Sequence, residues 1–191
     1  MSGTRPATLS AMDWTREWFE RQRFEGWKTF GELTRDDLPK TRGVYVVLTE
    51  LTNAAPEVLS ESVGGFHKHK PLTDDPAKVT ANWQHAAEVL YIGMAGSEQG
   101  FHDRLWAYSQ QGRGFRAGHR GGRYVWQLPK SEQLTVAWRA TGNLDAHDVE
   151  DALLAIYIER WGDRPFANLR DGHRFTPNEA RELLDGWLIT R

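Results

Sequence analysis

Residues 89–97 read Val-Leu-Tyr-Ile-Gly-Met-Ala-Gly-Ser. The first half has the β-branched and aromatic composition of a strand, and the second half is built of small, turn-forming residues. A strand over 88–93 is expected, with Met94-Ala-Gly-Ser97 as its exit turn. Its tyrosine has two readings: a ring that packs a sheet face, or a hydroxyl that works at a strand end. A second run of strand type, Val44-Tyr-Val-Val-Leu-Thr49, follows the turn Asp36-Asp-Leu-Pro-Lys-Thr-Arg-Gly43. Two tyrosine-bearing strands are thus expected to share a sheet.

Working outward, Phe101, Leu105 and Tyr108 have helical spacing and predict a helix over 99–110. A glycine-rich loop spans 112–122. The runs Arg123–Leu128 and Leu134–Ala140 read as two strands joined by the turn 129–133. Asp145 is a suitable N-cap for a helix to about Arg160, with Val149, Leu153 and Ile156 as its buried stripe. Thr176-Pro-Asn-Glu179 is a capping box with proline at the first helical position. Upstream, Trp14, Trp18 and Phe19 predict a helix over Ala11–Glu25, ended by Gly26. Residues 52–87 are polar and loop-rich, with a short helix expected near Lys78–Ala87. This order predicts an α+β fold, a small mixed or antiparallel sheet flanked by helices, with N-terminal and C-terminal helical extensions. The expected divisions are a flexible 1–11, an extension over 12–41, a core domain over 42–170 with an insert at 52–87, and a terminal helix in 171–191.

With 191 residues the chain has one domain's length, and it contains no cysteine, which excludes disulfides, thiol nucleophiles and thiolate metal sites. That absence suits a reducing cytoplasm. The apolar run Ala152–Ile158 is too short to span a bilayer, and the first ten residues lack the apolar core of a secretory signal and are expected to fray. Net charge is −2, yet residues 104–123 hold five arginines and no acid. Such a segment is either a stripe for phosphodiesters on an acidic body or a solvated arginine-rich loop. Charge alone does not choose.

Taken singly, the candidate functional residues have ordinary explanations. Tyr45 and Tyr91 suit sheet faces, and Arg104 and Tyr108 share a helix face at i, i+4. Glu150 stands with Asp145, Asp148 and Asp151 at a helix start, where the macrodipole favours acids. Asn168, after Pro165, suits a turn. Their order is more informative. Gly43-Val-Tyr45, Tyr91-Ile-Gly93, Arg104-Leu-Trp-Ala-Tyr108, Glu150 and Asn168 lie on a strand, a strand, a helix, a helix and a following loop. This layout resembles the GIY-YIG nuclease family over about 42–170.

The resemblance implies an endonuclease that hydrolyses phosphodiester bonds. It implies Tyr45 as the group that takes a proton from the attacking water, and Arg104 as a guanidinium fork for the phosphate. Glu150 becomes the protein ligand of Mg²⁺ or Mn²⁺, which stabilises the leaving oxygen. Tyr91 and Tyr108 orient water and phosphate, and Asn168 holds the Glu150 region. The expected partner is double-stranded or branched DNA, in restriction, phage defence or repair, with a homodimer where both strands are cut. Lys68, Lys70, Arg113, Arg116, His119, Arg120 and Arg123 are the expected nucleic-acid contacts. Two departures stand out. Met94 occupies the place of the family's usual lysine, and a thioether neither donates a proton nor carries charge. The insert, with Gly64-Gly-Phe-His-Lys-His-Lys70, is either a specificity loop or a surface decoration; the spacing of His67 and His69 alone is a weak metal signal. The rival expectation is a nuclease-fold protein that binds nucleic acid with little activity.

Overall fold

The computed structural model describes residues 12–50, 54–116 and 120–188. The expected fraying of the N-terminus and the role expected for His119 lie outside these residues. A four-stranded, wholly antiparallel sheet carries the fold. Its strands are β1 (Glu25–Thr29), β2 (Gly43–Leu48), β5 (Val89–Ala95) and β6 (Thr135–Ala140), in the order β1-β6-β2-β5. Two short strands, β3 (Phe66–His67) and β4 (Lys70–Pro71), form a separate hairpin in the insert. Helices are α1 (Arg16–Arg21), α2 (Pro76–Thr80), α3 (Gly100–Gly112), α4 (Ala146–Trp161) and α5 (Pro177–Leu184).

Strand β2 lies inside the sheet, and every residue of Gly-Val-Tyr-Val-Val-Leu is buried, as its unbroken apolar run requires. Alternation along β2 divides two cores. Val44, Val46 and Leu48 meet Leu153, Ile156 and Tyr157 of α4, with the aromatic residues of the N-terminal segment beyond them. Tyr45 and Val47 face Leu105 and Tyr108 of α3 together with Trp126 and Phe166. Tyr45 pairs with Gly93 on one side and Trp138 on the other.

Five local expectations change. The N-terminal helix spans only 16–21: Thr15 caps it by accepting from the Trp18 amide, and Arg23 then turns the chain at φ 57. Trp14 stays outside the helix but packs on Trp18 and Tyr157, so the aromatic stripe is buried without helical phase. Gly26 ends no helix. It lies in β1 at φ 100, beneath the Trp138 ring, where an added Cβ would stand 2.3 Å from that ring. The run Arg123–Gln127 is a 3₁₀ helix and not a strand, with Tyr124, Val125, Trp126 and Gln127 all buried. Met94 is paired with Val44 inside β5, so the turn begins later than its small residues suggested. The helix expected near 78–87 is the shorter α2, started by Asp75 and Pro76. The capping box before α5 and the Asp145 cap of α4 form as expected.

The insert is tied to the core. The Leu59 and Val63 amides donate to the carbonyls of Gln127 and Trp126, at 2.9 and 3.0 Å. The buried Gln127 amide returns two bonds, to the Leu59 and Asp74 carbonyls, at 3.0 and 2.7 Å. Among the described residues no helix is long and apolar enough to cross a membrane.

Candidate active site

Three tyrosines from different elements form a triangle under the sheet. Ring centroids of Tyr45 and Tyr91 are 6.0 Å apart, those of Tyr45 and Tyr108 6.1 Å, and those of Tyr91 and Tyr108 5.6 Å. The room for this triangle comes from glycine. A Cβ on Gly93 would lie 2.7 Å from the Tyr45 hydroxyl, and one on Gly122 would lie 2.4 Å from the Tyr108 hydroxyl. Gly93 therefore seats the Tyr45 ring in mid-strand.

Helix α3 is docked so that Arg104 reaches this triangle. The Phe101 and His102 amides donate to the Thr41 and Pro39 carbonyls, at 3.1 and 3.2 Å, so the turn entering β2 satisfies the first amides of α3. Gly100 permits the approach: with φ 52, a Cβ there would stand 1.8 Å from the Thr41 carbonyl oxygen. Arg104 lies half-buried in a cleft of about 650 Å³, whose walls include Tyr91, Met94, Glu150 and Asn168. The charge of Arg104 acts on Tyr45 and on Glu150 alike.

Helix α4 supplies the carboxylates. Burial, and then the charge of Asp151, push the Glu150 carboxyl up to about 7, against a smaller opposing pull from Arg104. His147, Glu150 and Asp151 share one helix face at i, i+3 and i+4, and one ligand atom of each lies within 4.8 Å of the others. One imidazole and two mutually repelling carboxylates are a donor set that a divalent cation fits. His147 and Asp151 were missed as ligands in the sequence, where Asp151 merged with the acids of the helix start. Their i, i+3, i+4 spacing was the available signal. Asp151 also meets Arg174 at 3.4 Å, and Arg174 pairs with Asp148 at 2.6 Å, so a cation at Asp151 competes with an ion pair.

The tyrosines differ from what catalysis by exposed hydroxyls requires. Burial pushes the Tyr45 phenol well above its usual value; Arg104 opposes this and Glu150 adds to it. Tyr45 is wholly shielded, and its hydroxyl lies within polar reach of Tyr91 and Arg104, both of which favour the phenolate. Burial also raises Tyr91 and Tyr108. The Tyr108 hydroxyl donates to the Gly122 carbonyl at 2.8 Å, so it anchors the loop after α3 and is not directed at the cleft. Tyr91 is the triangle member that lines the cleft.

Asn168 has a different duty from the one expected. Its Oδ1 accepts from the Ile92 amide at 2.9 Å, and its Nδ2 donates to the Ile92 carbonyl at 2.8 Å. With the Ala167 amide donating to the Leu90 carbonyl at 2.8 Å, this loop clamps the outer edge of β5. The residue holds the strand of Tyr91.

The basic residues also divide. Arg113 donates to the Phe30, Gly31 and Leu33 carbonyls, at 3.0, 3.3 and 2.8 Å, and stacks on Trp106, so it ties α3 to the segment after β1. Arg123 is largely buried and pairs with Asp74 at 2.5 Å, which ties it to the insert while it lines the cleft. Arg120 is exposed at the cleft wall, where the sequence missed its neighbours Arg170, His173 and Arg174. Lys68, Lys70 and Arg116 are exposed and lie outside the cleft lining. The cleft is therefore cationic at its rim and carboxylate-bearing at one wall. Comparison with family models, with curated proteins and with solved structures gave no match.

Proposed function

We propose that this chain is a divalent-metal-dependent phosphodiester hydrolase of the GIY-YIG type, acting on DNA. One observation carries the reading: Tyr91, Arg104 and Glu150, from β5, α3 and α4, line one cleft, with the Tyr45 phenol behind them under the influence of both charges. A cleft with cations at its rim and a raised carboxylate suits a polyanion whose scissile phosphate gains charge in the transition state.

In this reading Arg104 holds the non-bridging phosphate oxygens with its planar, forked guanidinium. Tyr91 orients the phosphate from the neighbouring wall. Glu150, with His147 and Asp151 beside it, holds the cation; when bound, that ion supplies positive charge for the departing oxygen. Tyr45 accepts the proton of the attacking water only as phenolate, which burial disfavours and positive charge nearby favours. The proton acceptor is thus poised by the balance between its apolar seat and the cations around it. A duplex break by single sites takes two copies or two successive nicks.

A second reading has its own support. Tyr45 is sealed from solvent and Met94 brings no amine to the cleft, as suits a nuclease-fold protein that binds nucleic acid without cutting it.

The deciding experiment incubates the protein with supercoiled, linear and branched DNA and with RNA, in Mg²⁺, Mn²⁺ or EDTA. Cation-dependent cutting that Tyr45→Phe and Glu150→Ala each reduce by at least about a hundredfold is the expected result. Salt-sensitive binding without cutting of any substrate would establish the second reading instead. Cutting that survives Glu150→Ala would remove Glu150 as the ligand.

A further inference from the structure

Away from the cleft, the insert and the segment following α3 expose three large apolar side chains, Val63, Phe66 and Phe115, at 43%, 59% and 60%. The two segments touch. A Cβ on Gly64 would stand 3.3 Å from the Gln111 side chain, and one on Gly114 would stand 3.9 Å from the Val63 carbonyl oxygen. Residues 62–73 and 104–116 contain no acid. Lys68, Lys70 and Arg116 are exposed within them.

The β3–β4 hairpin is built at a cost that core packing does not explain. Its register, His67 opposite Lys70, leaves a two-residue turn of Lys68 and His69, at φ 47 and φ 63. Such a turn favours Asn-Gly, because side chains are strained at positive φ. A lysine and a histidine here place polar, basic groups at an exposed tip against local preference. Phe66, next to that turn, is likewise left exposed.

We infer that this face binds an unpaired strand of nucleic acid, with Phe66 and Phe115 stacking on bases while Lys68, Lys70 and Arg116 meet phosphates. The inference rests on the nucleic-acid reading of the cleft. Charge selects the occupant: exposed aromatic rings beside exposed lysines and an arginine suit a polyanion with unstacked bases, the combination used to hold single strands. Paired bases, whose faces are buried in the stack, offer the rings nothing. Helix α3 links the two sites. Arg104 lies eight residues before Gly112, about 12 Å along the helix axis. Branched or flapped DNA, which carries a duplex and an unpaired strand together, becomes the matching substrate.

The test measures binding in EDTA, with a labelled single-stranded oligonucleotide, a blunt duplex, and the same duplex carrying a single-stranded branch. Replacing both rings, Phe66→Ser with Phe115→Ser, is expected to weaken the single-stranded and branched probes at least about tenfold and to leave the blunt duplex nearly unchanged. Lys68→Gln, Lys70→Gln and Arg116→Gln together are expected to lower the salt slope by about two to three. Because all five positions are exposed, unchanged melting temperatures check that folding is intact. Equal binding by the double serine variant overturns the inference. So does a wild-type dimer that the same variant dissociates in sedimentation, since the face would then join two copies of the chain. Ring-dependent binding without cutting in Mg²⁺ leaves this inference standing and removes the hydrolase; cutting with ring-independent binding does the reverse.

Discussion

Glu150 shows what a single side chain reveals when its surroundings are known. Burial, and then Asp151, raise its carboxyl to about 7, against an ordinary value of 4.5. The folded chain therefore holds the proton more tightly than the unfolded chain. Stability linked to this group is complete below about pH 4.5 and is lost as pH rises toward 7. Glu150→Gln removes the cost of ionisation. The variant is expected to match the wild type near pH 4 and to exceed it above pH 7, by on the order of 1–3 kcal/mol. Urea unfolding across that pH range in EDTA checks the sign. Added Mg²⁺ or Mn²⁺ is expected to stabilise the wild type and not the variant, because only the carboxylate gains a partner. A variant less stable than the wild type at pH 8 without metal contradicts the raised carboxyl. From the sequence Glu150 was one acid among four at a helix start. Its distinction arises from Arg104 and Asp151 beside it and from its half-burial, which no local pattern encodes.

At the scale of elements, the loop after α4 decides how the sheet ends. Strand β5 is an edge strand, and Asn168 closes that edge by pairing with both backbone groups of Ile92. Asn168→Ala leaves a buried amide and a buried carbonyl without partners and is expected to cost about 2–4 kcal/mol. Hydrogen exchange at the Ile92 amide is expected to accelerate with it, and a melt unchanged from the wild type would deny the clamp. Asn168→Asp is expected to be nearly as costly, because a carboxylate accepts from the amide but has no donor for the carbonyl. The position of Asn168 was legible in the order of motifs, but its task was not, since the edge it serves is 76 residues earlier in the chain. The run 123–128 failed as a strand for a related reason. Its strand-like composition misled, because Tyr124 and Trp126 are held by residues distant in sequence, Phe166 for one and Phe30 and Tyr108 for the other.

For the whole molecule, the segment before β2 proves integral to the sheet. Strand β1 covers the outer edge of β6, and Trp14, Trp18 and Phe19 close the core above α4. Removing residues 1–30 is expected to bare the β6 edge and an apolar face together, giving a chain that aggregates in size-exclusion and light-scattering measurements. A soluble, monomeric product with native near-ultraviolet circular dichroism would mean that β1 is dispensable. The sequence by itself determined the central strands, the two long helices α3 and α4 with the caps of α4 and α5, and thereby an α+β architecture, because apolar periodicity and capping are local properties. It also set the order in which Tyr45, Tyr91, Arg104, Glu150 and Asn168 occur. Only the tertiary structure decided that β1 joins the sheet, that Arg113 and Arg123 serve the fold, and that His147 and Asp151 stand with Glu150. Residue 94 remains a methionine beside the cleft in both accounts. The physical reason is the same throughout: a strand, a cap or a helix face is chosen by neighbours in sequence, whereas a buried charge, an edge clamp and a ligand set depend on groups that only folding brings together.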